Sequence, residues 1–224
     1  RQINKMYKNR KTIGNFWPIP RKGTKYLSVS LHNKRNSIPL VVVMRDILKL
    51  IRTKKELKKA INEKQIAING KEIKDTNYPL GLFDILTLKK LKKNYRVELG
   101  ENGKFVFIEV HDNEATSKTI KVIGKKVIGK NKIQLNLADG SNILSNEKLN
   151  LEDSVLINFK DKKIDKIFKM EKGNYGYVFK GKHIGTNGKI VDVIERGGKK
   201  LAVIDHGEKV RVWVKNVIVI GGKR

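Results

Sequence analysis

The sequence predicts an α+β protein that is mostly β, and three observations carry that prediction. Apolar residues recur at three- and four-residue spacing only between residues 40 and 63. From about residue 91 onward, short runs alternate apolar and polar side chains between Gly, Asn and Asp turns. Residues 1–39 show neither period and carry ten basic side chains and no acidic one. The expected order is a basic extended arm (1–39), a small helical module (40–90), a central β domain (91–172) and a C-terminal β unit (173–224).

The arm comes first. Pro18, Pro20, Pro39, Gly14 and Gly23 break any regular element, and so little apolar surface cannot order the segment by itself. Charge of a single sign points to an arm that orders along a polyanion. Arg10, Lys11, Arg21, Lys22 and Lys25 are its expected contacts. Phe16 and Trp17 are expected either to stack on bases or to pin the arm to a neighbouring domain.

The run LVVVMRDILKLIR, residues 40–52, predicts a helix burying Leu40, Val43, Met44, Ile47, Leu48 and Ile51. Arg45, Lys49 and Arg52 then stack on another face. Thr53 followed by Glu56 is a capping box and opens a second helix, KKELKKAINE. That helix buries Leu57, Ala60 and Ile61 and displays Lys54, Lys55, Lys58 and Lys59. QIAINGKEIK then reads as two strands joined at Asn69-Gly70, and GLFDILTL returns as a third.

The central runs YRVEL, KFVFIEV, KTIKVIGKKVI, NKIQLNL, SVLINF and KIDKIFKM have the spacing of a small barrel or sandwich. The last unit, from residue 176, holds Gly181, Gly185 and Gly188 ahead of the strands IVDVIE, LAVID and VRVWV.

Charge decides the class of partner. The chain has 224 residues, 50 Lys plus Arg against 22 Asp plus Glu, and a net charge of +28. Such an excess repels itself unless a polyanion is near, and nucleic acid is the usual one because each phosphate contact releases counterions. A membrane surface ranks well below, since no basic amphipathic helix carries a Trp-rich face and no apolar run approaches the length of a span. There is no cysteine, which removes disulfides, thiolate zinc sites and thiol catalysis and fits a reducing compartment.

Helix, helix, AINGK and a later GLFDIL resemble the alpha-L RNA-binding module. In that family the two helices and the following turn face RNA, which assigns RNA contact to Arg45, Lys49, Arg52, Lys54, Lys55, Lys58 and Lys71. KHIGTNGKIVDV resembles the KOW motif of small SH3-like barrels, and the family's central glycine matches Gly188. In such barrels the basic loop touches RNA or a protein neighbour, which makes Lys182 and Lys189 expected RNA contacts, and the resemblance puts Trp213 in the core. WPIPRKGTKYL, IPLVVVMRDILKL, NYPLGLFDIL and the terminal KOW unit together are similar to the S4e family of small-subunit ribosomal proteins over essentially the whole chain. The short stretch after Val219 resembles its archaeal members. The resemblance implies a structural, non-catalytic role in the cytoplasmic ribosome, with small-subunit ribosomal RNA and neighbouring ribosomal proteins as partners and no cofactor.

Two alternatives differ in class. An RNA-modifying enzyme is one, because alpha-L modules also accompany pseudouridine synthases; residues 91–172 are too few for that catalytic domain. A KOW-bearing transcription factor is the other, which the arm and helical module do not suit. Catalytic and metal chemistry find little support. His111-Asp112 and Asp205-His206 are adjacent pairs, which in strands point to opposite faces. His183-Ile184-Gly185-Thr186 is similar to the HIGH box of tRNA synthetases but lacks the surrounding nucleotide domain. Gly188-Lys189 lacks the Ser or Thr and the earlier Gly of a phosphate loop. No metal-ligand spacing is present.

Overall fold

The computed structural model describes residues 7–34, 36–129, 132–147 and 149–222. The chain forms two units, residues 1–98 with 104–115 and residues 99–103 with 116–224. The first six residues of the basic arm lie outside the described residues.

In the first unit the rest of the arm is not simply extended. Strands β1 (Tyr7–Asn9) and β2 (Tyr26–Ser28) pair antiparallel. Trp17, Leu27 and Val29 are buried, and the Trp17 indole N–H donates to the Ser37 carbonyl at 3.2 Å. A segment with sparse apolar residues folds here because the remainder of the unit supplies the other half of each contact, which periodicity within the segment cannot reveal.

Strand β3 (Ile38–Pro39) leads into α1 (Leu40–Val42), which widens at once into a π-type turn over Val43–Ile47. The helix therefore stops well short of residue 52. Its start is a run of β-branched valines, whose χ1 stiffness disfavours a helix. Its end is closed by Lys49, held in the left-handed region at φ 54°, with the Leu50 N–H bonded back to the Met44 carbonyl at 2.9 Å. Leu40 to Met44 are all buried, whereas Leu50 is exposed.

Helix α2 (Lys54–Asn62) opens as its sequence dictates: the Thr53 hydroxyl accepts from the Glu56 N–H at 3.3 Å. Leu57 and Ile61 are buried. Strands β4 (Ile66–Ile68) and β5 (Lys71–Glu72) join through Asn69 and Gly70 at φ 50° and 72°, the two positive values that a tight hairpin of this kind demands. β6 (Pro79–Leu80) pairs with β3. β7 (Ile85–Leu88), β8 (Lys93–Leu99) and β9 (Phe105–Val110) complete a sheet of order β5-β4-β7-β8-β9. The sheet thus runs straight through the boundary expected near residue 91. Runs 93–99 and 105–110 alternate like the later strands, and only pairing shows that they belong with β7.

The second unit holds two five-stranded antiparallel sheets. One contains β10 (Ser117–Val127), β11 (Ile133–Leu137), β12 (Asn142–Ser145), β13 (Ser154–Asn158) and β14 (Ile164–Phe168), in the order β12-β11-β10-β13-β14. Its core is Ile120, Val122, Leu135, Leu137, Leu149, Val155 and Ile157. The other contains β15 (Tyr175–Val178), β16 (Asn187–Arg196), β17 (Lys199–Asp205), β18 (Lys209–Trp213) and β19 (Val217–Ile220), in the order β18-β17-β16-β15-β19. Its core is Val178, Ala202, Ile204, Val212, Val214 and Val217.

The two sheets are tied at buried polar groups. The Lys121 ammonium, on β10, donates to the carbonyls of Val214 and Val217 at 2.5 and 2.6 Å and meets a Glu152 carboxylate oxygen at 2.7 Å. Burial pushes its pKa below the ordinary lysine value, against the pull of Glu152. The Ser154 hydroxyl accepts from the Val219 N–H at 2.9 Å. Segments 91–172 and 173–224 are therefore not two separate bodies.

Trp213 is not in the core. It is 50% exposed. Alternation along KVRVWV puts Val210, Val212 and Val214 on the inner face, so Arg211 and Trp213 must point outward. Gly188 explains itself sterically: a Cβ there would lie 2.0 Å from the Asp205 carbonyl oxygen, so only glycine lets β16 and β17 approach.

Candidate nucleic-acid interface

The cationic helix α2 is the best-defined element of the site. Its cap fixes the start: besides the Thr53 bond, the Glu56 carboxylate accepts from the Arg52 N–H at 2.9 Å and from the Thr53 hydroxyl at 3.0 Å. The Arg52 and Thr53 hydrogen bonds hold the Glu56 pKa below the usual carboxylate range. With Leu57 and Ile61 facing inward, Lys54, Lys55 and Lys58 are left exposed. Positions three and four apart are neighbours on a helix surface, so these three ammonium groups form one cluster. None has an ion pair among the described residues.

Other cations of the unit are partly neutralised. Lys59 lies 3.9 Å from Glu63. Lys64 and Lys89 flank Glu72 at 3.3 and 3.2 Å, and their hydrogen bonds, that of Lys89 foremost, lower its pKa. The sequence displays Lys59 beside Lys58, but the family likeness assigns RNA contact to Lys58 alone. The acid at i+4, Glu63, is the signal that separates them.

The sequence-predicted residues divide on inspection. Arg45 is exposed but bidentate to its neighbour Asp46 at 2.8 and 2.9 Å, a hydrogen bond that raises its pKa. Lys49 and Arg52 are exposed, yet both lie beyond the shortened helix, so they do not stack with Arg45 on one face. Lys71 is exposed beside the Asn69-Gly70 turn. That turn is rigid: the Asn69 side chain donates to Asp84 at 2.8 Å and accepts from the Ile85 N–H at 2.9 Å.

On the arm, Lys11, Arg21, Lys22 and Lys25 are exposed, but Arg10 and Trp17 are not free to reach a ligand. The Arg10 guanidinium bonds the Pro20 and Thr24 carbonyls at 2.5 and 2.7 Å and the Thr24 hydroxyl at 3.1 Å. It is the clamp of its own loop. Trp17 is buried and hydrogen-bonded, so it pins the arm and does not stack on a base; of the two roles open to it, burial selects the second. Lys182 and Lys189 are exposed on the second unit, at a turn and on β16.

Among the described residues no group of three or more His, Asp or Glu side chains could hold a metal ion. His206 is engaged through Nδ1 with the Asn187 carbonyl at 2.6 Å. His183 accepts through its carbonyl from the Thr186 hydroxyl.

The S4 domain family model matches residues 38–86, the stretch that holds α1, the capped helix α2 and the Asn69-Gly70 hairpin. The model described as Ribosomal family S4e matches residues 91–164. Archaeal relatives extend the likeness to nearly the whole length. The small ribosomal subunit protein eS4 of Methanocella arvoryzae is 34% identical over 92% of this chain and 90% of its own. That of Archaeoglobus fulgidus is 32% identical over 98% and 94%. The crystal structure of the 30S ribosomal protein S4e from Thermoplasma acidophilum superposes with a TM-score of 0.72 at 26% identity, covering 83% of this chain and 95% of that one. This chain belongs to the ribosomal protein family S4e.

Proposed function

We propose that this protein is a structural constituent of the small ribosomal subunit in the cytoplasm, that it binds folded small-subunit rRNA beside neighbouring ribosomal proteins, and that it has no catalytic step. One observation carries the reading: Lys54, Lys55 and Lys58 project from one capped, internally anchored helix with no carboxylate partner among the described residues. Fixed ammonium groups of this kind grip phosphates of a folded RNA without reading a long sequence.

Lys71 on the following hairpin, Lys49 and Arg52 before the helix, and Lys11, Arg21, Lys22 and Lys25 on the arm extend the contact surface, whereas Arg45 is held by Asp46. The C-terminal five strands are read as a KOW-type SH3-like barrel, supported by the glycine that the approach of β16 to Asp205 requires. Lys182 and Lys189 are its RNA-facing cations.

Sedimentation of a cell extract on a sucrose gradient tests the reading. The protein is expected to stay with the small subunit after a high-salt wash. A free protein that modifies a uridine in vitro would overturn it.

A further inference from the structure

We infer that the outer face of the C-terminal sheet is a stacking platform for an unpaired nucleobase, with Trp213 as its floor. The inference rests on the RNA-binding reading and adds a second kind of ligand to it, a single-stranded nucleotide in place of a phosphate backbone.

Four observations support it. Trp213 is 50% exposed at the end of β18, whereas the protein's other tryptophan, Trp17, is 7% exposed. Trp213 stands directly opposite Leu201 on β17, which in turn faces Ile194 on β16. All three side chains therefore share the face turned away from the Ala202–Val212 core. The Lys199 ammonium sits 4.6 Å from the centre of the Trp213 ring. Strand register adds Arg211 to the same face, and Arg196 opposite Lys199. Asp192 and Glu208 border the same surface and Asp205 shares its register; one Asp192 oxygen already accepts from the Val193 N–H at 2.9 Å.

An exposed indole with the Lys199 ammonium over its ring, and with Arg196 and Arg211 on the same face, is complementary to an aromatic ligand that carries negative charge. A nucleotide fits that description. The base stacks on the indole, and the lysine moves from the ring to the attached phosphate. The likeness of every base's π-face makes such a platform tolerant of sequence.

Two tryptophans in opposite environments make the test direct. The full chain is titrated with a single-stranded oligoribonucleotide of mixed sequence, and with a fully paired RNA hairpin of the same length. Emission of Trp213→Phe, which reports Trp17 alone, is subtracted. The single strand is expected to quench the Trp213 component and the hairpin to leave it nearly unchanged. Trp213→Ala is expected to weaken single-strand binding about tenfold with an unchanged thermal melt. RNA retained on a filter while Trp213 emission stays constant would overturn the platform and spare the rRNA-binding reading. RNA not retained at all would overturn both. Emission indifferent to RNA but shifted by other small-subunit proteins would make the face a protein contact and overturn the platform.

Discussion

Replacing Lys54, Lys55 and Lys58 together by Gln removes three charges without touching the buried side of α2, because Leu57 and Ile61 hold that side and Thr53 holds the cap. Each phosphate contact contributes about 0.9 to the slope of log affinity against log salt, so three contacts contribute about 2.7. A fourfold rise in salt then narrows the gap between native and variant protein by about fortyfold. The assay is filter retention of small-subunit rRNA across a salt series, with circular dichroism to confirm that α2 persists. The matched control is Lys59→Gln with Lys64→Gln and Lys89→Gln. Those lysines already face Glu63 and Glu72 at 3.2 to 3.9 Å, so their loss is expected to change the slope by less than one contact's worth. Equal slopes for the native protein and the Lys54, Lys55, Lys58 variant would refute the assignment of phosphate contacts to this helix. A larger change in the control would refute the argument from ion pairing.

Three further predictions concern stability. Lys121→Met leaves the Val214 and Val217 carbonyls and the Glu152 carboxylate without their shared donor, and is expected to cost about 3–5 kcal/mol in denaturant unfolding. Because burial depresses the Lys121 pKa, the unfolded chain binds the extra proton between the folded value and the ordinary lysine value; native stability therefore gains an increment as pH rises through that window, and Lys121→Met lacks it. Thr53→Ala removes the α2 cap and is expected to cost about 1 kcal/mol by thermal melt. The lowered Glu56 pKa, held down first by the Arg52 N–H, makes its part of the capping present above the ordinary carboxylate pKa and lost as pH falls through the folded value, so helical circular dichroism is expected to lose its acid dependence in that range in Glu56→Gln and to keep most of it in Thr53→Ala. Trp17→Ala is expected to cost about 3–5 kcal/mol and to open the arm to protease, a change that would not follow if Trp17 served RNA and not packing.

Local chemistry was legible where one segment contains both halves of an interaction. The capping box at Thr53 and Glu56, the Asn69-Gly70 hairpin, the apolar side of α2 and the alternating strands of both later sheets are all of this kind. Helix α1 ends earlier than its spacing predicts: Leu48 and Ile51 continue the spacing of Leu40, Val43 and Met44, while the positive φ of Lys49 that ends the helix has no strong signature in a lysine. Trp213 shows the opposite case: the barrel likeness puts it in the core, whereas the register of its own strand points it outward.

The sequence by itself determined that the protein meets a polyanion, since net charge is a sum over residues that no folding changes. It also determined the capped helix α2, the Asn69-Gly70 hairpin and the alternating later strands, and it carries the family likeness. Only the tertiary structure decided which cations remain available. Arg10 and Arg45 are spent on the Pro20–Thr24 loop and on Asp46, while Lys54, Lys55 and Lys58 are not. It alone showed that strands 93–99 and 105–110 belong with the helical module and that Trp17 is buried and Trp213 bare. Pairing between distant strands and burial by distant side chains are relations across the chain, and a local period records only one side of each.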